Sequence, residues 1–158
     1  MSDEGKGGET FIDESVQTFL REHIRSFEQL EVLLLLYRQR ERTWTVEDAA
    51  VALRVHDIAT QEAFGQLAGS GLLSAEATLA DHFRYHPQTP ELGMAVDRLV
   101  RACDERRIEI MKIMSAQSIE RVRTNVMKVF ADAFLLGRSG KPKRPSPDKP
   151  EKPGDPEK

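Results

Sequence analysis

Residues 44–73 read WTVEDAAVALRVHDIATQEAFGQLAGSGLL, and a shorter stretch, HFRYH, follows at 82–86. Thr45 can cap a helix through its hydroxyl, with Asp48 three residues on as a weaker form of the capping box. Ala49, Ala50, Leu53 and Val55 give that helix a small-residue inner face. His56-Asp57 interrupts the pattern, and Asp57 is a good N-cap for a next helix that buries Ala63, Phe64, Leu67 and Ala68. Gly69-Ser70-Gly71 stops it, since glycine ends helices at little conformational cost. Leu72-Leu73 then enters a strand. Phe83 and Tyr85 alternate with His82, Arg84 and His86, as a half-buried second strand requires, leaving 76–81 as the loop between the two.

Upstream, Val16, Phe19, Leu20, His23, Ile24 and Phe27 recur at helical spacing and predict one buried face. Leu30 to Tyr37 is apolar nearly all round, which predicts a central, fully covered helix. The run Arg38-Gln39-Arg40-Glu41-Arg42 returns the chain to the surface, and Trp44 is expected to plug the core. Downstream of Pro87 and Pro90, a long helix begins at Glu91. Leu92, Val96, Leu99, Cys103, Arg106, Ile110 and Ile113 alternate spacings of four and three, the seam of a coiled coil between two copies. Arg106 is the one charged member: either its stem packs while its head reaches out, or it pairs across the interface. After a break near Ser115 to Ser118, Ile119, Val122, Val126, Val129, Phe130 and Phe134 form a second amphipathic helix whose apolar face calls for self-association. Met111, Met114 and Met127 are read as ordinary core, with an adaptable ligand pocket as the rival.

The order capped helix, turn, second helix ending in Phe64-x-x-Leu67-x-x-x-Gly71-Leu72, then Phe83-Arg84-Tyr85, resembles the winged helix-turn-helix of bacterial transcriptional regulators such as the MarR and PadR groups. With the helix before it, the resemblance covers residues 27–86. It implies a mainly α fold with a two-stranded β-wing and C-terminal dimerisation helices, and DNA as partner. In such regulators the second helix of the pair enters the major groove. That would present Gln61, Glu62, Gly65 and Gln66 to bases, Gln61 and Gln66 being able to pair with adenine. Arg54 and the wing residues His82, Arg84 and His86 would then face the backbone. Asp57 through Gly71 contains no Lys or Arg, and Glu62 stands where such regulators often place a basic or hydroxyl residue. DNA affinity rests largely on cations that neutralise phosphates. The histidines add charge only as pH falls toward about 6.5.

Across the 158 residues the net charge is −3, but residues 45–90 alone hold six carboxylates against two arginines, a net −4. That imbalance supports a rival reading, a protein-interaction adaptor that keeps the winged fold without binding DNA. Six of the eight prolines follow Gly140, and Pro147, Pro150, Pro153 and Pro156 recur every third residue, as in a solvated polyproline II tail. Read in order, the chain has a disordered start over 1–10, a winged domain over 11–90, a helical dimerisation region over 91–138, and a disordered Pro/Lys-rich tail over 139–158. The polar, acidic start predicts no secretory signal, and no apolar run approaches the roughly 20 residues that span a bilayer. A single cysteine suits a reducing, cytoplasmic setting.

No catalytic constellation emerges, so the chain is expected not to be an enzyme and to need neither cofactor nor metal. His82 and His86 lie four apart in a strand, about 13 Å from each other, too far to share an ion. Cys103, inside a helical seam, reads as a buried structural thiol. Gly69-Ser70-Gly71 is a helix stop with no strand leading into it, unlike a nucleophile elbow.

Overall fold

The all-round apolar helix lies at the centre of the fold. The computed structural model describes residues 12–139, which fall into two compact units, the first up to Ile119 and the second from Glu120. In the first unit, α2 (Phe27–Arg38) buries Leu30, Val32, Leu33, Leu34 and Leu36 and packs against α3 (Val46–Leu53), α4 (Asp57–Gly69) and the hairpin strand β2 (Phe83–Tyr85). Strand β1 (Leu73–Ala75) pairs antiparallel with β2, Leu73 opposite Tyr85 and Ala75 opposite Phe83. Helix α1 (Glu14–His23) packs on α5 (Pro90–Glu105), and α6 (Arg107–Ser139) begins in this unit. Among the described residues the protein is mainly helical with this one small sheet, and no helix is long and apolar enough to cross a membrane. The expected disordered start and proline-periodic tail lie outside the described residues.

The periodic stretch from Val16 to Phe27 is two helices rather than one. Helix α1 ends at His23, Ile24 is buried but extended, and Ser26 caps α2 by accepting the Gln29 N–H at 3.1 Å. The apolar rhythm runs through the corner because Ile24 stays buried when the helix stops, so spacing alone conceals the break. Gln29, fully buried, holds the corner: its side-chain amide donates to the His23 carbonyl at 2.6 Å and accepts the Arg25 N–H at 2.8 Å.

Thr45 caps α3 as expected, accepting the Asp48 N–H at 3.1 Å, while the Asp48 carboxylate faces Arg42 at 3.6 Å. Trp44 is buried, and its backbone exchanges two hydrogen bonds with Phe83, at 2.7 and 2.8 Å. The turn into α4 is made by Arg54, which takes the left-handed conformation at φ 57°. His56, not Asp57, is the N-cap of α4, and it offers no side-chain bond. Asp57 is the first helical residue, where a carboxylate still favours the positive end of the helix. At the other end Gly71 has φ +76°, a conformation that favours glycine, and a Cβ there would only push aside the exposed Gln88 side chain.

Helix α5 starts at Pro90, capped by Thr89, one residue before the expected start. The coiled-coil seam expected between two copies is consumed inside the chain. Val96, Leu99, Cys103 and Ile110 are buried in the core and Leu92 and Ile113 pack half-buried against it. Spacings of four and three serve any helix packed along its length, and α1 supplies the facing apolar side with Val16, Phe19 and Leu20. The seam is also not one helix, because Arg106 breaks it with φ −144° and ψ 50°. Conversely, Ser115 to Ser118 lies within α6 and breaks nothing, since Ser-Ala-Gln-Ser costs a helix little.

Tyr37, Tyr85 and Asp97 join α2, β2 and α5. The Tyr37 hydroxyl donates to Asp97 Oδ1 at 2.7 Å, and the two rings meet edge-on at 5.2 Å. Burial, with the Asp97 carboxylate and Tyr37 behind it, pushes the Tyr85 phenol up to about 12. The hydrogen bond to Asp97 raises Tyr37 as well. With a folded-state pKa above the unfolded one, the stabilisation is complete below pH 10 and lost as pH rises through about 12. Urea unfolding between those values is expected to show this fall, and Tyr85→Phe to remove most of it, leaving the share of Tyr37.

Candidate functional site

The outward side of α4 carries the residues that sequence singled out. Gln61, Glu62, Gly65 and Gln66 are all exposed, and the space beside Gly65 is open, with no atom within 4 Å of where a Cβ would lie. Ile58 shares this side, at helical spacings of four and seven from Glu62 and Gly65, and is 74% exposed. Sequence reasoning passed over it, although that same spacing marks it. Val51 on α3 is exposed to a similar degree, 79%.

A groove of about 390 Å³ flanks α4, walled by Gln61, Phe64 and Phe83 and edged by Glu47, Asp57 and Asp81. It holds three carboxylates and no cation. The arginines that could offset them are engaged elsewhere. Arg38 bridges Asp104 at 2.6 Å. Arg40 lies over the Tyr37 ring at 4.6 Å, and Arg42 lies over the Trp44 ring at 4.0 Å while facing Asp48. Arg84 is exposed on the outward face of the hairpin but faces Glu76 at 3.4 Å. His82 is half-buried with Nδ1 2.9 Å from the Ala80 carbonyl, and His86 is exposed. Arg54 is exposed at the end of α3. The cations near α4 are therefore mostly bound to neighbours, and the carboxylates outnumber them. Among the described residues no group of His, Cys, Asp or Glu is arranged to hold a metal ion.

The second unit supplies a different surface. Along its part of α6, Val122, Val126, Met127, Val129 and Phe130 are between 47% and 71% exposed, and Phe134 is also 71% exposed. Val122, Val126, Val129 and Phe130 recur at spacings of three and four and share one side of the helix, as expected. Of the residues expected to pair two copies, Val126, Phe130 and Phe134 are thus exposed, whereas the α5 set and Ile110 are not.

Cys103 is buried, and burial pushes its thiol up to about 11, with Arg107 opposing. Such a thiol stays protonated at neutral pH and is a poor nucleophile. Iodoacetamide at pH 8 is expected to alkylate the native chain about 100-fold more slowly than the unfolded chain, as the thiolate fractions dictate. Equal rates, followed by mass spectrometry, would contradict this burial. Comparisons of the chain with family models, curated proteins and solved structures return no match.

Proposed function

We propose that this chain is a winged-helix interaction module that pairs with a second copy through α6 and docks a protein on its α4 face. The observation that carries this reading is the charge around α4: Glu47, Asp57 and Asp81 edge the groove while Arg38, Arg40, Arg42 and Arg84 are held by neighbouring side chains. A duplex laid on such a surface would bring phosphates toward carboxylates with few free cations to release counterions. A protein suits it better. Ile58 and the open side of Gly65 allow close apolar approach, and Gln61 and Gln66 can hydrogen-bond to backbone.

The second reading is a homodimeric DNA-binding transcriptional regulator of the kind the sequence resembles. It is favoured by the exposed amides of Gln61 and Gln66 on one side of α4. Fluorescence anisotropy with genomic fragments between about 50 and 200 mM salt separates the two. We expect no salt-dependent binding. Submicromolar binding that falls steeply with salt would return the α4 face to DNA.

Pairing through α6 rests on the exposed valines and Phe130. Covering several large apolar side chains at roughly 1.5–3 kcal/mol each is enough to hold two helices together. Sedimentation of the full chain is expected to give a dimer. Val126→Ser with Phe130→Ser is expected to weaken it by about two orders of magnitude without unfolding the first unit. A wild-type monomer at all concentrations would remove this part of the proposal.

A further inference from the structure

A separate cavity of about 440 Å³ opens between the start of α1 and the last turns of α5. Its wall carries Arg98, Arg101 and Arg106 against Asp13 and Glu105, with Ile12 and Val16 as apolar neighbours. Among the described residues the cations here lack the close ion-pair partners of those around α4, although Arg98, after the Ser15 hydrogen bonds, helps hold the Asp13 carboxyl below the usual carboxylate range. Among the described residues, Arg98 and Arg101 form no ion pair within 4 Å. Arg106 lines the cavity while half-buried, and its Nη1 atom is buried with no acceptor among the described residues. The Asp13 carboxylate is meanwhile engaged by the Ser15 N–H at 2.7 Å, as the cap of α1.

A buried guanidinium nitrogen without an acceptor has lost its water and gained nothing in return, which folded proteins seldom leave uncorrected. Three guanidinium groups facing two carboxylates leave the cavity net positive, so a metal cation is disfavoured. The planar fork of arginine matches the paired oxygens of a carboxylate or phosphate. The volume falls in the range of roughly 300–1,000 Å³ typical of small-molecule sites, and is too small for a macromolecule.

We propose that this cavity binds a small organic oxyanion, a carboxylate or phosphate group on a metabolite-sized molecule, with Arg106 as its anchoring donor and Arg98 and Arg101 at its mouth. Arg106 is also the residue at which α5 ends, one position before α6 begins at Arg107. An anion held there links that joint to the start of α1. The inference is independent of whether the α4 face takes protein or DNA.

The test is isothermal titration of the full chain with inorganic phosphate and, separately, with glutarate, at constant ionic strength set by sodium chloride. Saturable one-to-one binding of either probe is expected, and which one binds distinguishes the two oxyanion types. Arg101→Gln is expected to weaken it about tenfold, the scale of one charge-assisted hydrogen bond, and Arg106→Gln to weaken it further. Arg98 and Arg101 are exposed, so their variants decide the matter even if Arg106→Gln fails to fold. No saturable heat with either probe, or equal affinity in wild type and the Arg98→Gln and Arg101→Gln variants, overturns the proposal.

Discussion

Two backbone hydrogen bonds between Trp44 and Phe83 hold α3, α4 and the hairpin in register. A hairpin with strands of three residues is marginal by itself. Here it gains a third backbone partner from the residue just ahead of α3. The Phe83 ring then meets Phe64 of α4 edge-on at 5.3 Å, and Arg42 covers Trp44 from outside. Hairpin, α3 and α4 thus share one point of attachment, and the direction in which α4 presents Gln61, Glu62 and Gln66 depends on it. Trp44 also accepts a cost, since its ring N–H is buried without a partner among the described residues.

Much of this arrangement was legible in the sequence because it rests on local chemistry. Thr45 announces a cap, Gly69-Ser70-Gly71 a helix stop, and the alternation of Phe83, Arg84 and Tyr85 a half-buried strand, and each holds in the structure. The central position of Leu30 to Tyr37 followed from an apolar circumference that nothing but burial can accommodate. Several of the errors share a cause, that apolar spacing says a face is covered but not by what or where its helix ends. The α5 seam was covered by α1 rather than by a second copy. The corner at Ile24 kept its rhythm while changing direction, and Arg106 ends α5 with neither glycine nor proline to mark it. Around the candidate site, the exposed face of α4 could be read from spacing. The engagement of Arg38 could not, since Asp104 stands 66 residues away, whereas Arg40, Arg42 and Arg84 meet partners close by in the chain.

The same distinction separates the two apolar surfaces of the C-terminal helices. Residues of α5 are needed to close the core over α1, so any partner that took them would have to unfold the first unit. The valines and Phe130 of α6 in the second unit carry no such obligation. The pairing proposed for that helix draws on none of the core residues, nor on the Tyr37–Asp97–Tyr85 cluster that fastens α5 to the hairpin.

The corner held by Gln29 has a consequence for hydrogen exchange. The Arg25 N–H lies between two helices, where an amide would ordinarily trade its proton with water in a fast local opening. Its acceptor is instead the buried side-chain oxygen of Gln29 in the first turn of α2. Releasing that proton requires the buried carboxamide to be withdrawn, which also deprives the last carbonyl of α1 of its donor. A residue that looks like loop is therefore expected to exchange as slowly as the helix core beneath it, so that α1 and α2 open together as a single cooperative unit.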